Sequence, residues 1–375
     1  VSVESTSVNT HVDTGGGDDI VFISFGSGSM TTIAGNLNIV TGAGTDSIFA
    51  WDELNAVPTP YVLNAGAIVG SNTGNISYDS ATETVTLQAS NGASTFAVDP
   101  STDTAFNVGG NAPTFPTFPG DHLTVDLLGT VSPLLTIDGI GDGTITFGGP
   151  HQQIVYTSME TVDAINGSFD VVVDGDGAAN DYRVALNAAG THLELYLGAA
   201  LIFNAATGVV DSLTINALAG DDTLTVDGVN GLPAFVGSIP GAEDNPNITG
   251  APGLLFNGGA DSDSLIYTNL DAGFDQTYAM GDGVGGGSGV GTSEGEVLTE
   301  IGGASQAIYF TGLEPVLTTS SGGGTLTVIG DLNSNQIQVV PSLDPLTPGG
   351  TRVQELLGPY ESFDFAADAF TALVI

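Results

Sequence analysis

Four turns in this chain pair glycine with aspartate at spacings that could hold a cation. Two are long, Thr41-Gly42-Ala43-Gly44-Thr45-Asp46-Ser47-Ile48 and Gly258-Gly259-Ala260-Asp261-Ser262-Asp263-Ser264-Leu265. Two are shorter, at 14–21 and 217–224, where Asp18-Asp19 and Asp221-Asp222 follow glycine. Glycine admits positive φ in a tight turn and leaves main-chain carbonyls open, while aspartate supplies a hard anionic oxygen and the next aliphatic residue turns back to a core. The plainer reading is an ordinary Gly/Asp turn whose aspartate bonds its own backbone. Asp19 and Asp46 are 27 residues apart, and Asp222 and Asp263 are 41 apart. If 27 residues make one full coil of strands, Asp19 and Asp46 share an edge one strand spacing, about 4.8 Å, apart.

Other residues offer less. Asp174, Asp176, Asn180 and Asp181 form an oxygen-rich loop, but no glutamate closes it and the related segment 329–336 replaces most of its oxygens, so a solvated turn is expected. His11, His122, His151 and His192 are scattered outside metal-ligand spacing; there is neither a cysteine nucleophile nor a Gly-x-Ser-x-Gly elbow. Acid pairs such as Asp52-Glu53 could serve glycoside hydrolysis, but 43 carboxylates make any pair unspecific. Lyase chemistry on polyuronates would need basic groups. The expectation is therefore no enzyme, with a β-helix glycosidase ranked last. Asn75, Asn166 and Asn247 head Asn-x-Ser/Thr triplets that could carry glycan on a secreted protein.

The charge balance narrows the partners. The chain has 43 acidic residues against two basic ones, Arg183 and Arg352, for a formal net charge of −41. Nucleic acid and anionic membrane surfaces are bound by Lys and Arg and are excluded as partners; cations are favoured. Hydrophobic residues at 41% rule out a disordered acidic tail. No apolar run reaches the roughly 18 residues of a membrane span. The chain starts without a basic n-region or apolar h-region, as a mature secreted protein would.

The turns must be held by strands, because Leu213, Ile215, Leu224 and Val226 alternate at period two around Gly220-Asp221-Asp222. With 55 glycines, 17 prolines and only 364–370 approaching a helix pattern, the chain reads as all-β. The fold expected is a parallel β-helix or β-solenoid with long loops; tandem antiparallel β-sandwiches, in which each Gly-Asp-Asp turn closes a hairpin, are the alternative. Internal copies support repetition: 148–162 aligns without gaps with 302–316, sharing Gly148, Gly149, Gln152, Ile154, Thr157, Glu160 and Val162, and 173–184 aligns with 328–339. This divides the chain into a first module at 1–163 lacking its entry section, a complete second module at 164–318, and a spare entry section at 319–375. Irregular insertions, among them 112–120 and 281–296, interrupt the pattern.

The segments 212–228, 258–265 and 309–316 resemble the Gly/Asp-rich repeats of large secreted bacterial surface and matrix proteins, and the turns resemble the calcium-binding nonapeptide repeats of the RTX family. That resemblance implies calcium as cofactor, with Asp19, Asp46, Asp222, Asp261 and Asp263 as metal-ligating residues. RTX repeats recur every nine residues, which these turns do not. The resemblance also implies an extracellular or cell-surface location and adhesion, matrix or surface-layer roles. Residues 366–375 form an apolar strand without lysine or proline to blunt it. The leading expectation is a structural subunit that polymerises head to tail, residues 366–375 completing the N-terminal region of the next copy by strand addition. The rival is an adhesin or matrix module binding a glycan or partner through loops 112–120 and 281–296, for which Trp51 with Tyr61 is the one aromatic candidate. Both ends meeting within one closed subunit, or excision from a longer repeat protein, are the remaining alternatives.

Overall fold

A computed structural model describes residues 1–71, 73–112, 120–239, 253–280, 294–313, 315–329, 337–355 and 362–375. The protein is all-β. Among the described residues the one helical turn is a 3-10 segment, Met30–Thr32. The segment 364–370 forms no helix: strands Phe363–Phe365 and Phe370–Val374 flank a turn closed by the Ala369 N–H on Ala366 O at 3.1 Å.

The chain divides into two compact units, Val1–Phe169 with Ile202–Ala205, and Asp170–Leu201 with Ala206–Ile375. In the first unit it alternates between two sheets. One sheet takes Ser2–Val3, Ile20–Ile23, Asp46–Trp51, Thr82–Gln88 and Ala105–Gly109 as successive parallel neighbours. The other takes Thr10–Asp13, Leu37–Val40 and Ile76–Tyr78, and later Pro60–Asn64, Thr95–Val98, His122–Asp126 and Thr161–Ile165, again paired in parallel. Period-two sequence accounts for this, since alternate residues face one core. Val21, Ile48, Val85, Phe106 and Ile154 stand in register on five adjacent strands and are all wholly buried. Each such side chain contributes roughly 1.5–3 kcal/mol by leaving water.

The second unit repeats the scheme. Val210–Asn216, Leu254–Asn257 and Ala304–Thr311 pair in parallel in one sheet; Asp181–Leu186, Thr223–Asp227, Ser264–Thr268, Val316–Thr318 and Phe363–Phe365 do so in another. Leu213, Leu254 and Ile308 form one buried column, and Leu224, Leu265, Val316 and Phe363 another. The strands flanking Gly220-Asp221-Asp222 belong to different sheets, so this turn passes the chain from sheet to sheet and closes no hairpin.

Antiparallel excursions interrupt the parallel order. Pro60–Asn64, Ala67–Gly70 and Ile76–Tyr78 form one, and Leu134–Gly139, Asp142–Thr146 and Ile154–Thr157 a second. In the second unit, Asp275–Met280, Glu294–Ile301 and Ala304–Thr311 form another. The internal sequence copies fall on equivalent places. Ile154 and Ile308 lie in the third strand of such an excursion, and Val162 and Val316 lie in the strand that follows.

Candidate functional site

The Gly/Asp turns stack on one another. Gly16 bridges Ala43, and Ala219 bridges Ala260, in parallel. Gly42 has φ +88° and its Cα lies so close over the Gly15 carbonyl that a Cβ would overlap it. Glycine is therefore required there by backbone conformation and by the closeness of the two turns. The aspartates knit the stack together. The Asp19 N–H donates to Asp46 Oδ1 at 2.8 Å, and the Thr45 N–H returns to Asp18 Oδ1 at 2.9 Å. In the second unit the Asp222 N–H donates to Asp263 Oδ1 at 2.8 Å, the Ser262 N–H to Asp221 Oδ1 at 3.1 Å, and the Gly220 N–H to Asp261 Oδ2 at 3.2 Å. The Asp-Asp dipeptide thus has two jobs: its first carboxylate bonds the neighbouring turn along its exposed edge, and its second main-chain N–H binds the buried aspartate of that turn.

The same rule extends beyond the Gly/Asp turns. A residue just before a strand, or at its first position, donates its N–H to an acid one strand on. Asn180 donates to Asp222 Oδ1 at 2.7 Å, Asp46 to Glu83 Oε2 at 2.6 Å, Ser94 to Asp121 Oδ1 at 2.6 Å, and Asp121 to Glu160 Oε2. Asp46, Asp121, Asp222, Asp263 and Glu160 are at most 1% exposed. One oxygen of each of Asp46, Asp121, Asp222 and Glu160 is buried without a hydrogen-bond partner. A buried anionic oxygen in that state is costly, and the carboxyls respond. Burial pushes Asp121 up to about 8, with a further push from Glu160, and burial pushes Glu160 up to about 7. Burial also raises Asp222.

Among the described residues no three or more acid, histidine or cysteine side chains gather where they could hold one metal ion. The five aspartates read as ligands line two separate stacks, with Asp19 and Asp46 in one and Asp222, Asp261 and Asp263 in the other. Asp121 and Glu160 escaped the sequence reading because Asp121 has only the single Gly120 before it, without the Gly-x-Gly turn, and Glu160 follows Met159. The usable signal was an acid standing directly before an alternating strand, His122–Asp126 or Thr161–Ile165.

The remaining candidates separate. Asp176 accepts the Ala178 N–H at 2.9 Å in a local turn, and Asp174 accepts Asn216 Nδ2 at 2.8 Å. Asp52 is buried, where it accepts the Tyr61 hydroxyl at 2.6 Å and the Met30 N–H at 2.7 Å. Tyr61 is therefore buried, stacked on Phe96, and is no surface partner for Trp51. Trp51 instead meets Phe22, Phe25 and Phe49 on the outer side of the first unit's sheet. A shallow polar hollow of about 370 Å³ on the other sheet is lined by Asn9, His11, Asn36, Asn38, Asn75 and Ser77. Both arginines are engaged: Arg183 reaches Asp227 at 3.3 Å and covers the Tyr196 ring, and Arg352 grips the buried Asp364. Asn75 and Asn166 are exposed. Asn247, the stretch 113–119 and the stretch 281–293 lie outside the described residues.

No family model matches this chain, and no curated protein matches it in sequence.

Proposed function

We propose that this chain is an extracellular structural subunit, a parallel β-solenoid that joins copies head to tail through its outermost strands. The carrying observation is the contrast between two strands of similar sequence, Leu213-Thr214-Ile215 and Leu373-Val374-Ile375. Leu213, in Val210–Asn216, is wholly buried beside Leu254 of the next strand. Leu373, in Phe370–Val374, pairs only with Leu326 on its inner side and is 37% exposed, followed by Val374 and Ile375 at 50% and 60%. In the first unit Ser2–Val3 likewise pairs on one side only. Because the main pairing is parallel, the outer edge of Phe370–Val374 offers main-chain groups in the polarity that Ser2–Val3 of another copy would need.

Divalent cations belong to this proposal because the joint brings together two chains of like charge. Calcium would lie near the Gly/Asp turns, where Asp46 Oδ2 and Asp222 Oδ2 have no partner. Screening would then ease both subunit self-repulsion and association. Negative-stain electron microscopy of the purified chain, with calcium and with a chelator, tests the reading. Filaments are expected with calcium. The variant Leu373→Lys/Ile375→Lys changes exposed side chains only and should abolish them, as edge lysines do. Filaments that persist in this variant, or single particles under every condition, would overturn strand addition.

A further inference from the structure

The first unit carries a strip of aromatic rings on the outer face of a sheet whose inner face already fills the core. Phe22 and Phe49 are cross-strand neighbours with centroids 5.8 Å apart. Trp51 lies 5.7 Å from Phe49 at an interplanar angle of 19°, and 5.8 Å from Phe22. Phe25, 59% exposed, closes the group at 4.7 Å from Trp51. Alternation explains the placement: Val21, Ile48 and Ala50 point inward, so Phe22, Phe49 and Trp51 must point out. Phe22, Phe49 and Trp51 are half-buried and Phe25 is exposed, so the rings fill no core and offer solvent an apolar face of the kind that marks an interaction surface.

The surroundings select the partner. Phe49 stands opposite Thr86 and Trp51 opposite Gln88 on the next strand, with Asn107 beyond, its Nδ2 on Thr86 Oγ1 at 3.2 Å. The Gln88 amide lies flat over Gly109, where a Cβ would collide with it. In a chain of 43 acids these flanking groups are uncharged hydroxyls and amides. Beside Phe25, Glu4 accepts the Gly26 and Ser27 N–H groups. An aromatic floor beside neutral donors and acceptors matches a sugar ring, whose C–H face lies against the negative π face while its hydroxyls meet amides. A net charge of −41 disfavours anionic polymers there, and also a second copy lying face to face on a patch that has no main-chain edge to offer.

We propose that Phe22, Phe25, Phe49 and Trp51, with Thr86, Gln88 and Asn107 alongside, form a binding platform for a neutral oligosaccharide. This site is independent of filament formation and would give the subunit a hold on a neutral polysaccharide surface.

Trp51 is the chain's only tryptophan, so its fluorescence reports on this patch alone. The test titrates the whole protein, at concentrations where it sediments as single particles, with hexamers of α- and β-linked glucose, N-acetylglucosamine, mannose and galactose, and with a polyuronate. At least one neutral hexamer is expected to shift Trp51 emission, with a dissociation constant on the order of 0.1–1 mM. The polyuronate should give no shift. Phe25→Ala, at an exposed position, and Gln88→Ala should each weaken binding about tenfold, as expected for losing one stacked ring or one hydrogen bond. Trp51→Phe, followed by NMR, should retain most of the affinity. Silence across the neutral panel overturns the proposal. So does binding that Phe25→Ala and Gln88→Ala leave unchanged, or an emission shift that follows protein concentration and reports a second copy instead.

Discussion

Asp121 and Glu160 should make this protein more stable in mild acid than at neutral pH. Their carboxyls are held up to about 8 and about 7, against ordinary values near 4, because both are buried and share one stack with Ser94. Between about pH 4 and 8 the folded chain keeps protons that the unfolded chain has lost, so stability is fully present below the ordinary carboxyl pKa and falls as pH rises through 7 and 8. Each retained proton steepens the fall by about 1.4 kcal/mol per pH unit. Two groups acting from pH 5 to 7 and one from 7 to 8 give on the order of 6 kcal/mol, and halving this for residual solvent and mutual coupling leaves about 3 kcal/mol. That is a large share of the 5–15 kcal/mol typical of a folded domain. Urea unfolding at pH 5, 6, 7 and 8 measures it. General repulsion among the acids also weakens in acid, but at 1 M salt it is screened beyond about 3 Å. The comparison is therefore made at high salt, against Asp121→Asn/Glu160→Gln. That variant retains oxygens to accept the Ser94 and Asp121 N–H groups and removes both ionisations. Its stability should vary less with pH, crossing wild type between pH 5 and 8. Parallel curves for the two proteins would refute the reasoning.

Two further outcomes follow from the stacking. Gly42→Ala should destabilise the first unit by at least about 2 kcal/mol in chemical unfolding, because φ +88° and the overlapping Gly15 carbonyl both oppose a Cβ. Gly17→Ala, with positive φ but open space, should cost only about 1 kcal/mol. Arg352→Gln should cost about 3–5 kcal/mol by leaving the fully buried Asp364 unpaired, and adding Asp364→Asn should recover part of that loss in the same assay.

The inward columns and the stacked turns were legible in the sequence, because period-two alternation and the offset of 27 that joins Asp19 to Asp46 both survive in the fold. The same offset sets Phe22 over Phe49, so the aromatic strip was also readable, although adjacency in the chain first suggested Tyr61 as the companion of Trp51. Tyr61 instead alternates inward with Leu63 in Pro60–Asn64, where its hydroxyl meets the buried Asp52 carboxylate. The antiparallel excursions were hidden for a different reason. A strand that pairs with its neighbour in the chain and one that pairs in parallel with a strand farther along carry the same alternation, so 60–78 and 134–157 do not reveal their pairing. Asp121 and Glu160 were obscured by abundance, for the burial that sets them, with Asp46, Asp222 and Asp263, apart from the surface acids is not written in residue type.

The engagement of both arginines has a consequence for turnover. A trypsin-like protease cuts after lysine or arginine, and this chain has no lysine. Arg183 lies within Asp181–Leu186 and Arg352 within Thr351–Glu355, each strand hydrogen-bonded on both sides and each guanidinium held by a carboxylate. A protease cleft needs an extended segment free of other partners, and here such a segment appears only when a sheet opens. The folded protein is thus nearly invisible to a whole class of digestive enzymes.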